Sequence, residues 1–198
     1  IQNFLITATS DDEYLSNYLY WNIKILCLDR KYGQSFNLFI KRFVTQLPTP
    51  IFNNIIQGEN TVNILQSIPP DLVNTDEVKQ FIHMKSVSQQ LRNPFNISHS
   101  CDVNIDNIII KSTITKPIIL PFIYGSSSKR LLFKSEDIRK DLIIMNLIRI
   151  VGHIIESELN ITTKIVTYNI IPTSHNTGII EIVDDCETIA NIREKRCL

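Results

Sequence analysis

Several features that often reveal a protein's class are absent from this 198-residue chain. Its 20 basic and 20 acidic side chains balance, so no overall field attracts it to nucleic acid or to an anionic membrane. No apolar run is long enough to span a bilayer, and the longest, residues 142–155, is interrupted by Asn146, Arg149 and His153. The four cysteines are widely spaced without a C-x-x-C pair, which argues against a metal site and favours free cytosolic thiols.

The chain also has no initiator methionine and no signal peptide, since Ile1 opens an already periodic segment. We therefore expect a fragment of a cytoplasmic protein. The residues that are present are 43% hydrophobic and 20% charged, which is typical of a folded chain and not of a disordered one. The length suffices for one core of ordinary size, or for a small domain with part of another.

Apolar residues recur with a helical period through the first half of the chain. Residues 1–46 predict three helices, with Ser10 or Asp11 as the N-cap of the second and a turn at Gly33. Residues 48–70 are weakly patterned and predict a linker. Residues 71–92 predict a further helix, which Asn93 and Pro94 end.

The second half of the chain changes character after residue 100. Residues 103–110, 118–124, 130–134, 164–171 and 178–183 each predict a strand. A turn is expected at Gly125–Ser128, a long helix from Ser135 to about Leu159, and a short helix or loop over 184–196. The pattern predicts an α+β fold, an antiparallel sheet that contains one long helix.

One lysine stands where a strand meets this helix. Leu131-Leu132-Phe133-Lys134 ends a short apolar strand, and Asp137-Ile138-Arg139-Lys140-Asp141 opens the helix. Such a lysine can neutralise phosphate charge, and an acid on the following helix can hold its ammonium in place.

These two segments resemble phosphoinositide 3-kinases, which have an apolar-apolar-Phe-Lys strand, a short polar turn and Asp-apolar-Arg-Gln-Asp. The resemblance implies that Lys134 binds the ATP phosphates and that Leu132 and Asp141 belong to the same site. The turn is one residue shorter here, because the family's glycine is missing, and Lys140 replaces the Gln. Either Glu136 or Asp137 could therefore be the acid nearest to Lys134.

A second segment carries the same resemblance. Tyr168 precedes Gly178-Ile179-Ile180-Glu181-Ile182-Val183 at the distance found in phosphoinositide 3-kinases, where Glu-apolar-Val is the hinge between the lobes. The resemblance implies that the Glu181 carbonyl and the Val183 amide bind the adenine edge. It also implies that Tyr168 and Ile180 line the inner pocket and that Ile182 covers one face of the base.

The loop between the first two strands falls where the family binds phosphate. It reads Lys111-Ser112-Thr113-Ile114-Thr115-Lys116-Pro117, and we expect Ser112 and Lys116 to contact phosphate. Ile119 stands where the class I enzymes have a Trp above the adenine, which implies an aliphatic surface there.

The resemblance divides the chain into three parts. Residues 1–47 resemble the end of the helical (PIK) domain, through Asn17-Tyr18-Leu19-Tyr20-Trp21. Residues 48–94 are expected to be a linker and the first kinase-domain helix, and residues 95–198 the kinase N-lobe up to just past the hinge. The C-lobe, with its catalytic loop and metal-binding Asp, is expected to be absent.

The resemblance, most like class I, implies a parent enzyme that transfers the γ-phosphate of ATP, with Mg²⁺, to the 3-hydroxyl of phosphatidylinositol lipids. Its partners are expected to be those lipids at a membrane surface and a regulatory subunit, without nucleic acid, and its location cytoplasmic and peripheral at membranes. The fragment alone is expected to be inactive. A truncated, non-catalytic interaction module and a phosphatidylinositol 4-kinase remain open alternatives.

Overall fold

A computed structural model describes residues 1–72, 74–87, 91–95 and 101–196 of the chain. The three helices predicted for residues 1–46 are present, and two more follow them. The five helices of the first half are α1 (Gln2–Thr9), α2 (Glu13–Leu26), α3 (Gly33–Val44), α4 (Thr49–Gln66) and α5 (Thr75–Ser86).

The start of α2 is fixed by Asp12. Its carboxylate accepts a hydrogen bond of 2.8 Å from the Leu15 amide, which satisfies one of the free donors of the first helical turn. The expected caps, Ser10 and Asp11, precede it, and Ser10 instead ends α1. The prediction of the cap was therefore wrong by one or two positions, because α1 continues to Thr9 and α2 begins only at Glu13.

We expect Asp12→Ala to destabilise the chain by about 1 kcal/mol, because the Leu15 amide loses its acceptor. Thermal or urea unfolding of residues 1–198 measures the change. Asp11→Ala is the matched control, since the neighbouring carboxylate is exposed and does not cap the helix. Equal stability losses in the two variants would contradict the assignment of the cap.

The segment predicted as a linker, residues 48–70, contains an 18-residue helix, α4. Pro50 lies in its first turn, where a proline costs no hydrogen bond. Gly58 lets the helix approach the backbone of Pro94, because a Cβ at this position would lie 3.2 Å from the Pro94 Cα. Burial of Ile55 and Leu65 stabilises helix α4, although the local sequence pattern does not predict a helix.

The second half forms one antiparallel sheet in the spatial order β1-β3-β4-β6-β5, with β2 also paired to β3. Its strands are β1 (Asp102–Val103), β2 (Ile109–Ile110), β3 (Ile118–Tyr124), β4 (Ser127–Lys134), β5 (Ile170–Pro172) and β6 (Gly178–Glu181). The predicted strand over 103–110 is two short strands separated by a 3-10 turn at Ile105–Asn107. The strand predicted over 164–171 begins only at Ile170, since residues 164–169 follow helix α6 in an irregular path.

The predicted long helix is α6 (Arg139–Leu159), and a short helix, α7 (Ile189–Arg196), closes the described chain. Helix α6 starts four residues later than expected, because residues 135–138 form the turn that brings the chain back from β4. It ends at Asn160, which adopts the left-handed conformation that Asn tolerates as a C-terminal cap.

Both halves of the chain contribute to one hydrophobic core, which we call the shared core. Helices provide Phe43, Ile55 and Val78, and the sheet provides Phe122 and Leu131, all fully buried. Helices α1–α5 therefore cover one face of the sheet, and α6 packs on the other face beside β5. In the described part of the chain, no helix combines the length and apolar character needed to cross a membrane.

Candidate functional site

The face of the sheet that points away from the shared core carries a row of apolar side chains. Ile119 pairs with Leu132, and Leu132 pairs with Ile180, so the three residues lie side by side on β3, β4 and β6. Successive residues of a strand alternate between faces, and Leu131 and Phe133 belong to the shared core. Leu132 and Lys134 therefore share the opposite face. This brings four of the expected site residues together.

Lys134 is held by the acid that follows it most closely. Its Nζ donates a hydrogen bond of 2.6 Å to Glu136 Oε1, and about a quarter of the lysine side chain remains exposed. The alternative acid, Asp137, instead binds the guanidinium of Arg139 through both carboxylate oxygens, at 2.9 and 2.7 Å. This pairing lowers the pKa of Asp137 below its ordinary value. The open choice between the two acids is thus settled in favour of Glu136.

We expect Glu136→Gln to change the affinity of the protein for ATP by no more than about fivefold. The Lys134–Glu136 pair is partly exposed, and such pairs contribute about 1 kcal/mol or less. Binding of a fluorescent ATP analogue to the full-length protein, displaced by ATP, measures the effect. A loss as large as that caused by removing Lys134 itself would mean that Glu136 is an equal partner in the site.

Asp141 lies in the first turn of α6, as the sequence predicts. Between the described residues, no ion pair joins Asp141 to Lys134. Its carboxylate stands at the positive end of the helix dipole, where an acid is stabilised without a basic partner. Within the described part of the chain, the structure therefore gives Asp141 no ion-pair partner in the site, and its expected role is to interact with a bound ligand.

The expected hinge follows directly from strand β6. The Glu181 amide donates to the Asn169 carbonyl at 2.9 Å, and the Ile182 amide donates to the Arg130 carbonyl at 2.8 Å. Among the described residues, the Val183 amide finds no protein acceptor, while its carbonyl accepts from Cys186 Sγ at 2.9 Å. A free backbone donor next to an apolar strand is the arrangement that the edge of a planar base can use.

Tyr168 and Ile180 both pack beside helix α6. Both pack against a small cluster of buried residues, which we call the α6 cluster and which consists of Ile138, Met145 and Ile170. Ile180 is thus a member of the apolar row that also packs against the α6 cluster. Its role at the inner wall of the site stays a prediction.

The loop between β2 and β3 forms a compact hairpin. The Lys111 amide donates to the Pro117 carbonyl at 3.0 Å, and Lys116 adopts a left-handed conformation. Ser112 and Lys116 are both exposed. Lys116 lines a cavity of about 560 Å³ together with Gln66 at the end of α4, and Lys134 is not among the residues around that cavity. Phe133 and Ser135, on either side of Lys134 in the chain, line the same cavity.

Two residues that the sequence reading did not assign to the site lie next to it. Arg149, on α6, donates to the Tyr168 carbonyl at 2.6 Å and to Asn169 Oδ1 at 2.9 Å. Asn169 Nδ2 in turn donates to Glu181 Oε2 at 2.9 Å. The only signal in the sequence is that Asn169 is adjacent to Tyr168, because both contacts join elements that are far apart in the chain.

The residues fit a nucleotide better than they fit a metal. An apolar row, a free amide and a partly exposed lysine suit a base and its phosphates. In contrast, no three His, Cys, Asp or Glu side chains of residues 1–72, 74–87, 91–95 and 101–196 gather where they could hold a metal ion.

A comparison with protein families finds one relevant match. The family model for phosphatidylinositol 3- and 4-kinase matches residues 127–198, which begin at strand β4 and include Lys134, α6 and the expected hinge. The match supports a relation to this family and a kinase as the parent protein. The mixed architecture of helices and antiparallel sheet is compatible with a kinase N-lobe.

Proposed function

We propose that the parent protein is a phosphatidylinositol 3-kinase, most like class I, and that this chain contributes residues that bind ATP. The γ-phosphate passes from ATP to the inositol 3-hydroxyl of phosphatidylinositol lipids. In this proposal Lys134 binds the phosphates, and the Glu181 carbonyl and Val183 amide bind the adenine edge. Ile119, Leu132 and Ile182 enclose the base.

One observation carries the proposal: Lys134 shares a sheet face with the paired row Ile119, Leu132 and Ile180. Adenine is flat and apolar on both faces, while the phosphates are strongly anionic. A site for ATP therefore needs an apolar surface that ends at a cation. The family match over residues 127–198 supports the same reading from the sequence.

We assign the three parts of the chain in the same terms. Residues 1–47 close a helical domain, residues 48–94 lead into the kinase domain, and residues 95–198 form its N-lobe. The magnesium ligands and the catalytic loop belong to a C-lobe that none of these residues supplies, so residues 1–198 alone are inactive. The parent acts in the cytoplasm, peripherally at membranes that contain its lipid substrate, with a regulatory subunit as a further partner.

The test is the product that the full-length protein makes from phosphatidylinositol vesicles, ATP and Mg²⁺. Phosphatidylinositol 3-phosphate is the expected product, and residues 1–198 alone should form none. Formation of the 4-phosphate would instead identify a phosphatidylinositol 4-kinase. Absence of both a product and ATP binding would favour a non-catalytic interaction module.

The shortened turn after Lys134 is the observation that favours the interaction module. It places Glu136 only two residues from the lysine, with the two side chains in direct contact. In a protein that binds no nucleotide, this ion pair would satisfy the lysine permanently. ATP binding by the full-length protein therefore separates the two functions before any product is analysed.

A further inference from the structure

We infer that Arg149 and Asn169 are positioning residues. They fix strand β6, which leads into the proposed hinge, relative to helix α6, and thereby set the preference for adenine over guanine. The inference rests on the proposed function, because it concerns the segment assigned to the adenine edge. It adds two residues and a specificity role that neither the sequence pattern nor the family match assigns.

The first contact runs from α6 to the segment before β5. The Arg149 guanidinium donates to the Tyr168 carbonyl and to Asn169 Oδ1, and reaches Thr167 Oγ1 at 3.4 Å. A planar guanidinium with several donors can hold three consecutive residues at once, which a flexible ammonium cannot do. These bonds engage the Tyr168 backbone carbonyl and the side chains of Thr167 and Asn169, just where the expected strand fails to form.

The second contact runs from that segment to the hinge strand. Asn169 and Glu181 share three hydrogen bonds. The Asn169 carbonyl accepts from the Glu181 amide, and the Asn169 amide and Nδ2 both donate to Glu181 Oε2. Asn169 therefore accepts from Arg149 and also binds Glu181, so these three residues connect α6 to the proposed hinge.

The surroundings of this chain strengthen its hydrogen bonds. Arg149 and Asn169 are partly buried and lie beside Asn17 and Trp21 of helix α2, which are themselves 5% exposed. Polar contacts are stronger in such surroundings than in water, and an unmatched group costs more. The proposed hinge is thereby connected to α6 beside the buried residues of α2.

The position of the hinge decides which base it accepts. Adenine offers a donor and an acceptor that match a carbonyl followed by an amide, whereas guanine offers the reverse order at the same edge. This discrimination depends on the geometry of two backbone groups, so movement of Glu181 weakens it. A purely structural role for Arg149 and Asn169 would lower the stability of the protein and leave the ratio of the two affinities unchanged.

The test is a double-mutant cycle in the full-length protein, read as the ratio of the Kd for GTP to the Kd for ATP. Asn169→Asp keeps the acceptor for Arg149 but places a second carboxylate next to that of Glu181. Because the two carboxylates repel each other, we expect the ratio to fall about tenfold. Adding Glu181→Gln turns the repulsion into a hydrogen bond from the Gln amide to Asp, and should bring the ratio back to within about twofold of the wild type.

Asn146→Ala is the control variant. Its Oδ1 accepts a hydrogen bond of 3.3 Å from Arg149 within α6, and this bond does not involve the segment before β5, so the ratio should stay unchanged. Thermal unfolding of each variant separates loss of fold from loss of discrimination. If Asn169→Asp does not fold, Arg149→Lys is the second variant, and it too should lower the ratio because a single ammonium cannot replace the fork.

Three results would overturn the inference. Two concern the positioning role only: an unchanged ratio in Asn169→Asp or in Arg149→Lys, and a ratio that Glu181→Gln fails to restore. The third is a wild-type protein that does not prefer ATP to GTP, and this result would also remove the proposed function. The wild-type measurement therefore separates failure of the function from failure of the positioning role.

Discussion

Replacement of Lys134 by alanine is expected to lower the lipid kinase activity of the full-length protein at least about 100-fold. In the proposed site this lysine is the cation at the end of the apolar row, where it stabilises the negative charge that develops during transfer of the γ-phosphate. Transfer of radiolabelled phosphate from ATP to phosphatidylinositol vesicles measures the effect. The fold should survive, since the side chain is partly exposed and only its pair with Glu136 is lost.

Lys140→Ala is the matched control for this prediction. Lys140 is an exposed lysine at the start of α6, six residues further along the chain, and it is not part of the site. Its removal should leave the activity within about twofold of the wild type, as is usual for an exposed surface charge. Undiminished phosphorylation of phosphatidylinositol by the Lys134→Ala variant would remove Lys134 from the role given to it.

Replacement of Phe122 by alanine is expected to destabilise residues 1–198 by about 3–5 kcal/mol. Phe122 lies on β3, is fully buried, and packs in the shared core that also contains the helical residues Phe43 and Ile55. The loss combines the apolar surface no longer buried with the cavity that remains. Because the core is continuous, the helices and the sheet should lose stability together.

The single tryptophan of the chain makes this measurable. Trp21 lies on α2, in the helical half, and is 5% exposed, so its fluorescence reports that half alone. In urea, Phe122→Ala should shift the Trp21 transition and the circular dichroism transition by the same amount. Ile123→Ala, at the next and exposed position of the strand, should shift neither by more than about 0.5 kcal/mol. A Trp21 transition that stays in place would show that the two halves fold independently.

Some elements of the fold follow from the sequence because their periodicity and their burial agree. The helices of residues 1–46, strand β3 and most of α6 are of this kind, since their apolar residues recur at the spacing of the element they form. Helix α4 does not follow, because Pro50 and Gly58 suggest a loop and only contact with Pro94 and the shared core explains the helix. The start of α6 was misplaced for a related reason, because Ser135 and Glu136 look like a helix start but form a turn.

The candidate site divides in the same way. The roles predicted for Lys134, Ile180 and Glu181 come from short motifs, because each residue stands next to those that carry the resemblance. The choice of Glu136 over Asp137 and the contacts of Arg149 with Asn169 depend on how separate elements pack. Spacing along one chain does not determine which side chains meet across a helix and a strand. Those contacts required the structure.

The most direct test of the central claim is to label the lysines of the full-length protein with an acyl phosphate of ATP. The Nζ of a lysine beside the bound phosphates attacks the acyl carbon, ATP leaves, and an amide remains that mass spectrometry can map. We predict that Lys134 is the lysine that is labelled and that excess ATP prevents the labelling. Labelling of other lysines to the same extent, or labelling of Lys134 that ATP does not reduce, would contradict the assignment of Lys134 to the ATP site.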